Sequence, residues 1–374
     1  MSPESLRLNL SAPPAASGRT IEVLDYHTGG EPFRIVVAGY PELPGRNILE
    51  RRRAALEQHD DLRKLLMWEP RGHADMYGGI LVPPDHTEAQ VGVLFMHNEG
   101  YSTMCGHGTI ALATALIEAG AVPAVACETL IGIDAPCGLV RATALVEEAE
   151  LAAAQAAGRT PRVREVRFEN VPSFAAALDV PLDVPGVGRV TVDVGYGGAF
   201  YALVSAAALG LEMSAEHAAQ IAAAGRAITD AGRAALREGG ALAAALGVKH
   251  PESDDLSFLY GTIIDGTPED ASHHSRNLCV FAEGEVDRSP TGSGVSARLA
   301  VLHARGLVGV GQEIAVESIL GRDSLFHGRV LRSERWAGRD AVIPEVRGSA
   351  HMTGSARFVL DEDDRIGRGF LLVR

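Results

Sequence analysis

The sequence is nearly free of lysine. Lys64 and Lys249 are the only two among 34 basic residues, and arginine supplies the rest. A pyridoxal phosphate enzyme needs a lysine for its Schiff base, and no phosphate-cradling loop flanks either of these two. The chain also lacks a Walker loop and a GxGxxG motif after a predicted strand. We therefore expect chemistry without a cofactor.

Cysteine is scarce as well, with four residues and no CxxC pair, which fits neither a disulfide framework nor a zinc site. The four are Cys105, Cys127, Cys137 and Cys279. Among thirteen scattered histidines, the one adjacent pair, His273 and His274, fits a polar loop better than a metal site. We expect no bound metal, and we expect one of the cysteines to be a reactive thiol.

The chain has no long apolar run and no excess of positive charge. No segment approaches the roughly 20 apolar residues that span a bilayer, and the start, MSPESLRLNLSAPPAASGRT, lacks the apolar core of a signal peptide. The net charge of −14 repels phosphate backbones and anionic lipids. The sequence predicts a cytoplasmic protein with a small-molecule partner, no nucleic-acid or membrane partner, and a homodimer as the candidate assembly.

At 374 residues and 46% hydrophobic content, the chain is long enough for two domains. Residues 1–18 are rich in Pro, Ala and Ser and predict a flexible tail. The Ala-rich segment 214–240 predicts a helix with Ser214 as its N-cap, whereas 146–160 fits either an exposed helix or an insertion loop. Alternating or β-branched runs predict strands at 20–27, 33–40, 90–97, 189–198, 277–286, 312–318 and 356–363.

Two glycine-rich turns form a weak internal repeat. CGHGTIALATALIEAG (105–120) and TGSGVSARLAVLHARG (291–306) are identical in five of sixteen columns and lie 186 residues apart. Each copy predicts a helix whose N-terminus carries free backbone amides at the glycine turn. Two such ends facing one cleft would bind a small carboxylate from both sides, because amides and helix dipoles there attract anions. A duplicated half is the economical explanation.

Cys105 directly precedes the first turn, where the helix dipole and nearby amides favour a thiolate, so we expect it to act as a base. The other three cysteines fit the interpretation of small buried hydrophobes. Thr291 holds the equivalent place in the second copy. Its hydroxyl does not ionise near neutral pH, and helix capping and an active-site role remain equally open for it. Asp287 is a candidate partner for an ammonium group or part of a surface turn. His107 is either a polar contact behind the site or an internally satisfied histidine.

These segments resemble the proline racemase family. The resemblance rests on the segments HTGGEPFRIV (27–36), DMYGG (75–79), MCGHGTIAL (104–112), VDVGYGGAFYALV (192–204) and DRSPTGSGVSA (287–297). It extends from about residue 20 to the C-terminus. In that family two cysteines face each other across a cleft without any cofactor. Cys105 matches the first, and Thr291 stands where racemases and epimerases carry the second. The Cys–Thr pattern resembles the trans-3-hydroxy-L-proline dehydratase branch.

The resemblance implies an α/β (α+β) fold of the diaminopimelate epimerase type: two pseudo-symmetric domains, each a sheet wrapped around a central helix. We expect the first domain at 19–198, completed by 355–374, and the second at 199–354. The resemblance also implies site residues. Cys105 and Thr291 would be catalytic, and the substrate would be bound by Gly106, His107, Asp287, Gly292 and Ser293. Asp287 would approach the ring nitrogen. Ser293 replaces a common threonine.

The function implied is dehydration of trans-3-hydroxy-L-proline to Δ1-pyrroline-2-carboxylate. In this hypothesis Cys105 removes the α-proton and Thr291 orients the substrate or a water molecule. Two alternatives remain open. One is a 4-hydroxyproline 2-epimerase or proline racemase, which would need another acid in place of the missing thiol. The other is a non-catalytic binding protein for cyclic amino acids.

Overall fold

The computed structural model describes residues 19–361 and 363–372. The predicted flexible tail at 1–18 lies outside the described residues. The described chain forms seventeen strands and six α-helices. The helices are α1 (Ile48–Met67), α2 (Gly106–Glu118), α3 (Glu148–Ala157), α4 (Ala218–Glu238), α5 (Gly240–Leu246) and α6 (Gly292–Ala304). The strands are β1 (Thr20–Thr28), β2 (Glu31–Ala38), β3 (Tyr77–Val82), β4 (Val91–His97), β5 (Glu128–Ala135), β6 (Gly138–Leu145), β7 (Glu165–Glu169), β8 (Phe174–Val184), β9 (Gly188–Tyr196), β10 (Phe200–Ser205), β11 (Leu259–Gly266), β12 (Ser275–Phe281), β13 (Glu285–Asp287), β14 (Glu313–Ser318), β15 (Gly321–Trp336), β16 (Arg339–Gly348) and β17 (Ala350–Val359).

The strands pair in two series that match step for step. In the first series, β17, β1, β2, β3, β4, β5, β6 and β7 follow one another. In the second, β8, β9, β10, β11, β12, β14, β15 and β16 do the same. The third and fifth pairings of each series are parallel and the others are antiparallel. The series meet where β7 pairs with β16. This repetition confirms the pseudo-symmetric α/β fold.

A central helix fills each half because parallel strands require a crossover connection. Helix α2 connects β4 to β5 and packs against β1, β2, β6, β7 and β17, and α6 connects the β12–β13 hairpin to β14 and packs against β8, β9, β10, β15 and β16. Both helices are buried along nearly their whole length. Their apolar side chains lie in one shared core. The two helices of the internal repeat are therefore equivalent in position, and both have 13 residues.

Most predicted elements appear with small shifts at their ends. The predicted helix at 214–240 is α4, which begins after a short 3₁₀ turn, and the undecided segment 146–160 contains α3. The predicted single strand at 277–286 is wrong in one respect, because it is the β12–β13 hairpin. Ala282 and Gly284 adopt φ values of 47° and 103° in its turn. Within the described part of the chain, no helix combines the length and apolar character needed to cross a membrane.

The predicted domain boundary after residue 198 falls between β9 and β10, which pair with each other. Strands β8 and β9 also contact α6. The C-terminal segment 355–374 was predicted to complete the first half. Its first residues belong to β17, which pairs with β1. The division into domains stays a prediction, and we propose that it lies nearer the connection between β7 and β8.

Candidate active site

The N-termini of the two central helices touch each other. A Cβ atom added to Gly106 would lie 2.4 Å from the Cα of Gly292, and one added to Gly292 would lie 2.8 Å from the Cα of Gly106. Neither backbone has room for a side chain, so both positions require glycine for close approach. The contact brings the free amides of both helix starts to one point. Such a point favours an anionic group.

We expect Gly106→Ala to separate the two helix ends. The added methyl group collides with backbone rather than with a flexible side chain, so the free energy of unfolding should fall by about 1–3 kcal/mol. Displacement of the helix ends by about 1 Å should lower turnover by about 100-fold. Denaturant unfolding and steady-state kinetics measure the two effects. Gly100→Ala is the matched control because a Cβ atom added to Gly100 would have nothing within 4 Å. Equal effects of the two substitutions would contradict the close-contact explanation.

Cys105 occupies the N-cap position of α2, and its side chain is buried. Its backbone is extended, with φ −144° and ψ 109°. This conformation turns the sulfur back over the first helical turn, where it accepts a hydrogen bond from the amide of Gly108 at 3.2 Å. The Nδ1 atom of His107 lies 3.3 Å from the sulfur. Cys105 therefore sits at the predicted helix end, in contact with the predicted histidine.

The prediction that the helix end lowers the pKa of Cys105 is wrong for this structure, in which the cleft is closed. Burial raises the pKa of the thiol well above its ordinary value, and the negative charges of Asp287 and Glu31 raise it further. Hydrogen bonds with the Gly108 amide and the Tyr77 hydroxyl act in the opposite direction. Loss of water outweighs the helix end because the thiolate needs solvation that the surrounding apolar rings do not supply. These surroundings therefore favour the thiol form of Cys105.

His107 is neutral in the folded protein. Burial lowers its pKa to about 4, against a smaller opposing effect of Asp287. Its Nδ1 atom lies 3.9 Å from the Oδ2 atom of Asp287, and its carbonyl accepts a hydrogen bond from the Thr28 hydroxyl at 3.0 Å. The ring packs edge-on against Tyr77. His107 thus connects the thiol of one half to the carboxylate of the other without carrying a charge.

Thr291 lies at the N-cap position of α6 but does not cap the helix. Its backbone has φ 66° and ψ 93°, its side chain makes no capping hydrogen bond, and its hydroxyl donates to the Oδ2 atom of Asp287 at 2.8 Å. The other carboxylate oxygen of Asp287 accepts from the Ser289 amide at 2.7 Å. The capping interpretation is therefore wrong. A non-glycine residue rarely adopts this backbone conformation, and such strain is concentrated at functional sites.

Two further contacts join the halves beside the helix ends. Glu31 is fully buried, and its Oε2 atom lies 2.8 Å from the Arg288 guanidinium and accepts from the Arg288 amide at 2.7 Å. Burial and the nearby Asp287 raise the pKa of Glu31 well above its ordinary value. The amide of Val286 donates to the Asp75 carboxylate at 3.1 Å. These contacts hold the segment that carries Asp287 and Thr291 against the first half.

A small cavity lies between the two helix ends. Its free volume is about 10 Å³, which is about the space that holds one water molecule. Six of the seven predicted site residues line it, and the seventh, Gly292, lies against Gly106. The lining residues are Tyr77, Met104, Cys105, Gly106, His107, Tyr201, Tyr260, Cys279, Phe281, Asp287, Thr291 and Ser293.

The sequence analysis missed the aromatic residues of this cavity. Tyr77 and Tyr201 belong to the segments 75–79 and 192–204, so an available signal was not read as a site. Tyr201 shares a hydrogen bond with Ser293 at 2.7 Å. Tyr260 stacks on Phe281 with ring centroids 5.5 Å apart. The rings of these side chains form an aromatic wall beside the helix ends.

The other cysteines depart from their common interpretation. Cys279 is buried as expected, yet it also lines the cavity, because β12 faces the helix ends. Its Cα is paired with that of Asp287 in the β12–β13 hairpin. Cys127 is exposed, so the prediction of a small buried hydrophobe is wrong for it, whereas Cys137 is partly buried and packs against the hydrophobic core. A second thiol therefore lies at the cleft, on the strand beside Thr291.

Comparison with known proteins adds to this geometry. The family model described as proline racemase matches residues 23–371. The chain belongs to the proline racemase family. It is 45% identical to trans-L-3-hydroxyproline dehydratase of Xenopus tropicalis, over 96% of this chain and 97% of that protein. It is also 46% identical to 3-hydroxyproline 2-epimerase of Burkholderia multivorans, over 95% of this chain and 98% of that one.

A solved structure has a closely similar fold. It is a hydroxyproline epimerase from Agrobacterium vitis with bound trans-4-hydroxy-L-proline. The TM-score is 0.83 at 29% sequence identity, with coverage of 96% of this chain and 97% of that one. Among residues 19–361 and 363–372, no group of three or more His, Cys, Asp or Glu side chains is arranged to hold a metal ion.

Proposed function

We propose that this enzyme dehydrates trans-3-hydroxy-L-proline to Δ1-pyrroline-2-carboxylate, with Cys105 as the base. The observation that carries the proposal is the pairing of unlike groups at the two helix ends. Cys105 offers a titratable thiol, whereas the Thr291 hydroxyl donates to Asp287 and does not ionise near neutral pH. Racemisation needs an acid and a base on opposite faces of the α-carbon. Elimination of water needs only one face.

The stereochemistry of the substrate explains why elimination needs groups on only one face of the ring. In trans-3-hydroxy-L-proline the hydroxyl is trans to the carboxylate and therefore on the same ring face as the α-hydrogen. Removal of both is a syn elimination, served from one side of the cleft. The enamine that forms tautomerises to the cyclic imine. The amides of both helix ends stabilise the charge that develops on the carboxylate as the α-proton leaves.

Substrate binding also supplies the charge that Cys105 needs. The ring nitrogen of the substrate is a cationic ammonium group, and Asp287 is the carboxylate that faces it. The negative charges of Asp287 and Glu31 hold the proton on Cys105. An ammonium group beside Asp287 offsets them and lowers the pKa of the thiol. Substrate binding therefore favours formation of the base.

We propose that the cleft widens to admit the substrate, because the cavity has room for only about one water molecule. The contacts of Arg288 with Glu31 and of Val286 with Asp75 join the two sides. Breaking and remaking them accounts for entry and closure. Closure excludes water, which strengthens each electrostatic contact inside the site.

A panel of substrates in deuterated water tests the function. Trans-3-hydroxy-L-proline should give the cyclic imine, detected with an aldehyde-type reagent such as o-aminobenzaldehyde. L-proline and trans-4-hydroxy-L-proline should not be inverted. Deuterium at the α-carbon with inversion, and no elimination, would make the enzyme an epimerase. Binding without elimination or exchange would make it a binding protein.

Epimerisation is the second candidate, because Cys279 lines the same cavity from the second half. It is the other acid that an epimerase would need in the absence of a thiol at position 291. Burial raises the pKa of Cys279 well above its ordinary value, so it holds its proton. If Cys279 serves this role, Cys279→Ala abolishes inversion of the 3-hydroxyproline α-carbon.

We expect Thr291→Cys to introduce inversion. A thiol at the second helix end restores an acid opposite Cys105, so dehydration should fall and slow inversion of L-proline or trans-4-hydroxy-L-proline should appear. Chiral chromatography of the products measures it. Thr291→Ser is the matched control because it keeps the hydroxyl and adds no thiol. Ready inversion of these substrates by the wild type would overturn the dehydratase assignment.

The remaining predictions belong to this proposal. We propose that the reaction needs no cofactor and no metal, that the enzyme is cytoplasmic, that it acts in hydroxyproline catabolism and that it assembles as a homodimer. Exhaustive chelation and treatment with a carbonyl reagent should leave turnover unchanged. The low lysine content and the scattered histidines motivate that expectation.

A further inference from the structure

Tyr77 presents a hydroxyl group to the cleft beside Cys105. It is the first residue of β3, is almost fully buried and lines the same cavity as the thiol. Its ring packs edge-on against His107, with centroids 4.9 Å apart. Its hydroxyl shares hydrogen bonds with the Ser102 hydroxyl and with that of Tyr260, the latter at 3.2 Å. The Cys105 sulfur and the Tyr77 ring face the same small cavity.

The placement of Tyr77 matches what a syn elimination requires. Tyr77 and Cys105 both belong to the first half of the molecule, and Asp287 and Thr291 belong to the second. The leaving hydroxyl and the α-hydrogen lie on one ring face, which is the face turned to Cys105. Of the other hydroxyl groups at the cleft, that of Thr291 donates to Asp287, those of Tyr201 and Ser293 bond each other, and that of Tyr260 bonds Tyr77.

We propose that Tyr77 is the general acid that protonates the departing hydroxyl group. The proposal rests on the dehydratase function. The Cys105 thiolate takes the α-proton and becomes a thiol, and the electron pair of the Cα–H bond forms the double bond to C3. The C3–O bond breaks, and the Tyr77 proton passes to the leaving oxygen, so water departs and a phenolate remains.

The two side chains then restore each other. The Cys105 thiol passes its proton to the Tyr77 phenolate, which returns the thiolate and the phenol and leaves no net proton to be supplied. The neighbouring hydroxyls of Ser102 and Tyr260 stabilise the phenolate while it exists. Burial raises the pKa of Tyr77 well above its ordinary value, so the phenol carries its proton across the working pH range.

Tyr77→Phe tests the proposal, because it removes the hydroxyl and keeps the ring that packs on His107. Dehydration of trans-3-hydroxy-L-proline should fall by about 100-fold or more, the usual contribution of a general acid. Trans-3-fluoro-L-proline is the second probe, since fluoride departs without needing a proton. Wild type and variant should release fluoride at rates within about tenfold of each other.

Tyr101→Phe is the matched control. It removes another buried phenol, one that bonds the Ala55 carbonyl outside the cleft, and should leave both reactions unchanged. Near wild-type dehydration by Tyr77→Phe would overturn the proposal. So would an equal loss of dehydration and fluoride release, which would make Tyr77 a positioning residue. Absence of dehydration in the wild type would instead refute the proposed function.

Discussion

Cys105→Ser is expected to lower the turnover of trans-3-hydroxy-L-proline by at least about 1,000-fold, since a serine hydroxyl is a far weaker base than a thiolate. The fold should be retained. Serine is a good N-cap residue and can accept the same hydrogen bond from the Gly108 amide. Steady-state kinetics measure the loss, and thermal unfolding measures the retained stability. Near wild-type turnover would remove Cys105 from the mechanism.

The exposed Cys127 provides the matched control. Cys127→Ser should change neither turnover nor stability, because the side chain is exposed. An alkylating reagent should modify Cys127 without loss of activity, whereas modification of Cys105 should inactivate the enzyme and be slowed by substrate. Inactivation that tracks modification of Cys127 or Cys137 alone would place the essential thiol elsewhere.

The pH dependence of wild-type activity follows from the burial of Cys105. Because the pKa of the Cys105 thiol is raised, thiolate is scarce at neutral pH and kcat/KM should increase with pH into the alkaline range. The substrate ammonium lowers that pKa, so the increase in kcat should lie at lower pH than that in kcat/KM. His107, with a pKa of about 4, should add no inflection near its ordinary value.

Asp287→Asn should have the second largest effect. Asparagine keeps an oxygen for the Ser289 amide but removes the charge that would pair with the substrate ammonium. Loss of one member of a buried, hydrogen-bonded charge pair should reduce kcat/KM by about 100-fold or more. Asp287→Asn should have the opposite effect on the reactivity of the Cys105 thiol in the free enzyme. Without the carboxylate charge the pKa of Cys105 falls, so alkylation of Cys105 should become faster.

Faster alkylation of Cys105 together with slower turnover would distinguish this role of Asp287 from an effect of unfolding. Unfolding would expose all thiols. Asp323→Asn is the control, since it removes the same charge from an exposed side chain outside the cavity. Unchanged kcat/KM in Asp287→Asn, or slower alkylation of Cys105, would contradict the role given to this carboxylate.

The internal repeat shows which features of the fold could be predicted from local sequence. The paired glycines at 106 and 292 and at 120 and 306 indicated two equivalent helices. In the structure those helices are the two central ones, and Gly120 and Gly306 both adopt positive φ, at 75° and 71°. Capping and turn chemistry act over a few residues, so sequence alone predicts them. The strands β15 and β16, which form a hairpin, were not predicted because their polar exposed faces lack a clear alternation.

The aromatic residues of the cavity and the second thiol, Cys279, were not predicted from local sequence. Nothing near Tyr260 or Cys279 in the sequence marks them as cleft residues, because each reaches the cavity from a different strand. The state of Cys105 illustrates the same limit. The helix end is a local feature and predicted a thiolate. The opposing desolvation comes from rings and carboxylates that are more than twenty residues away in the chain.

The sequence by itself determined the family, the two glycine turns and the Cys–Thr difference, because these depend on residue type and spacing. The tertiary structure alone decided that Thr291 bonds Asp287 instead of capping its helix, that Cys279 reaches the cleft and that Tyr77 stands beside Cys105. Packing of the two halves also set the pKa of the thiol, since burial and charge at one point are sums over atoms that only the folded chain brings together.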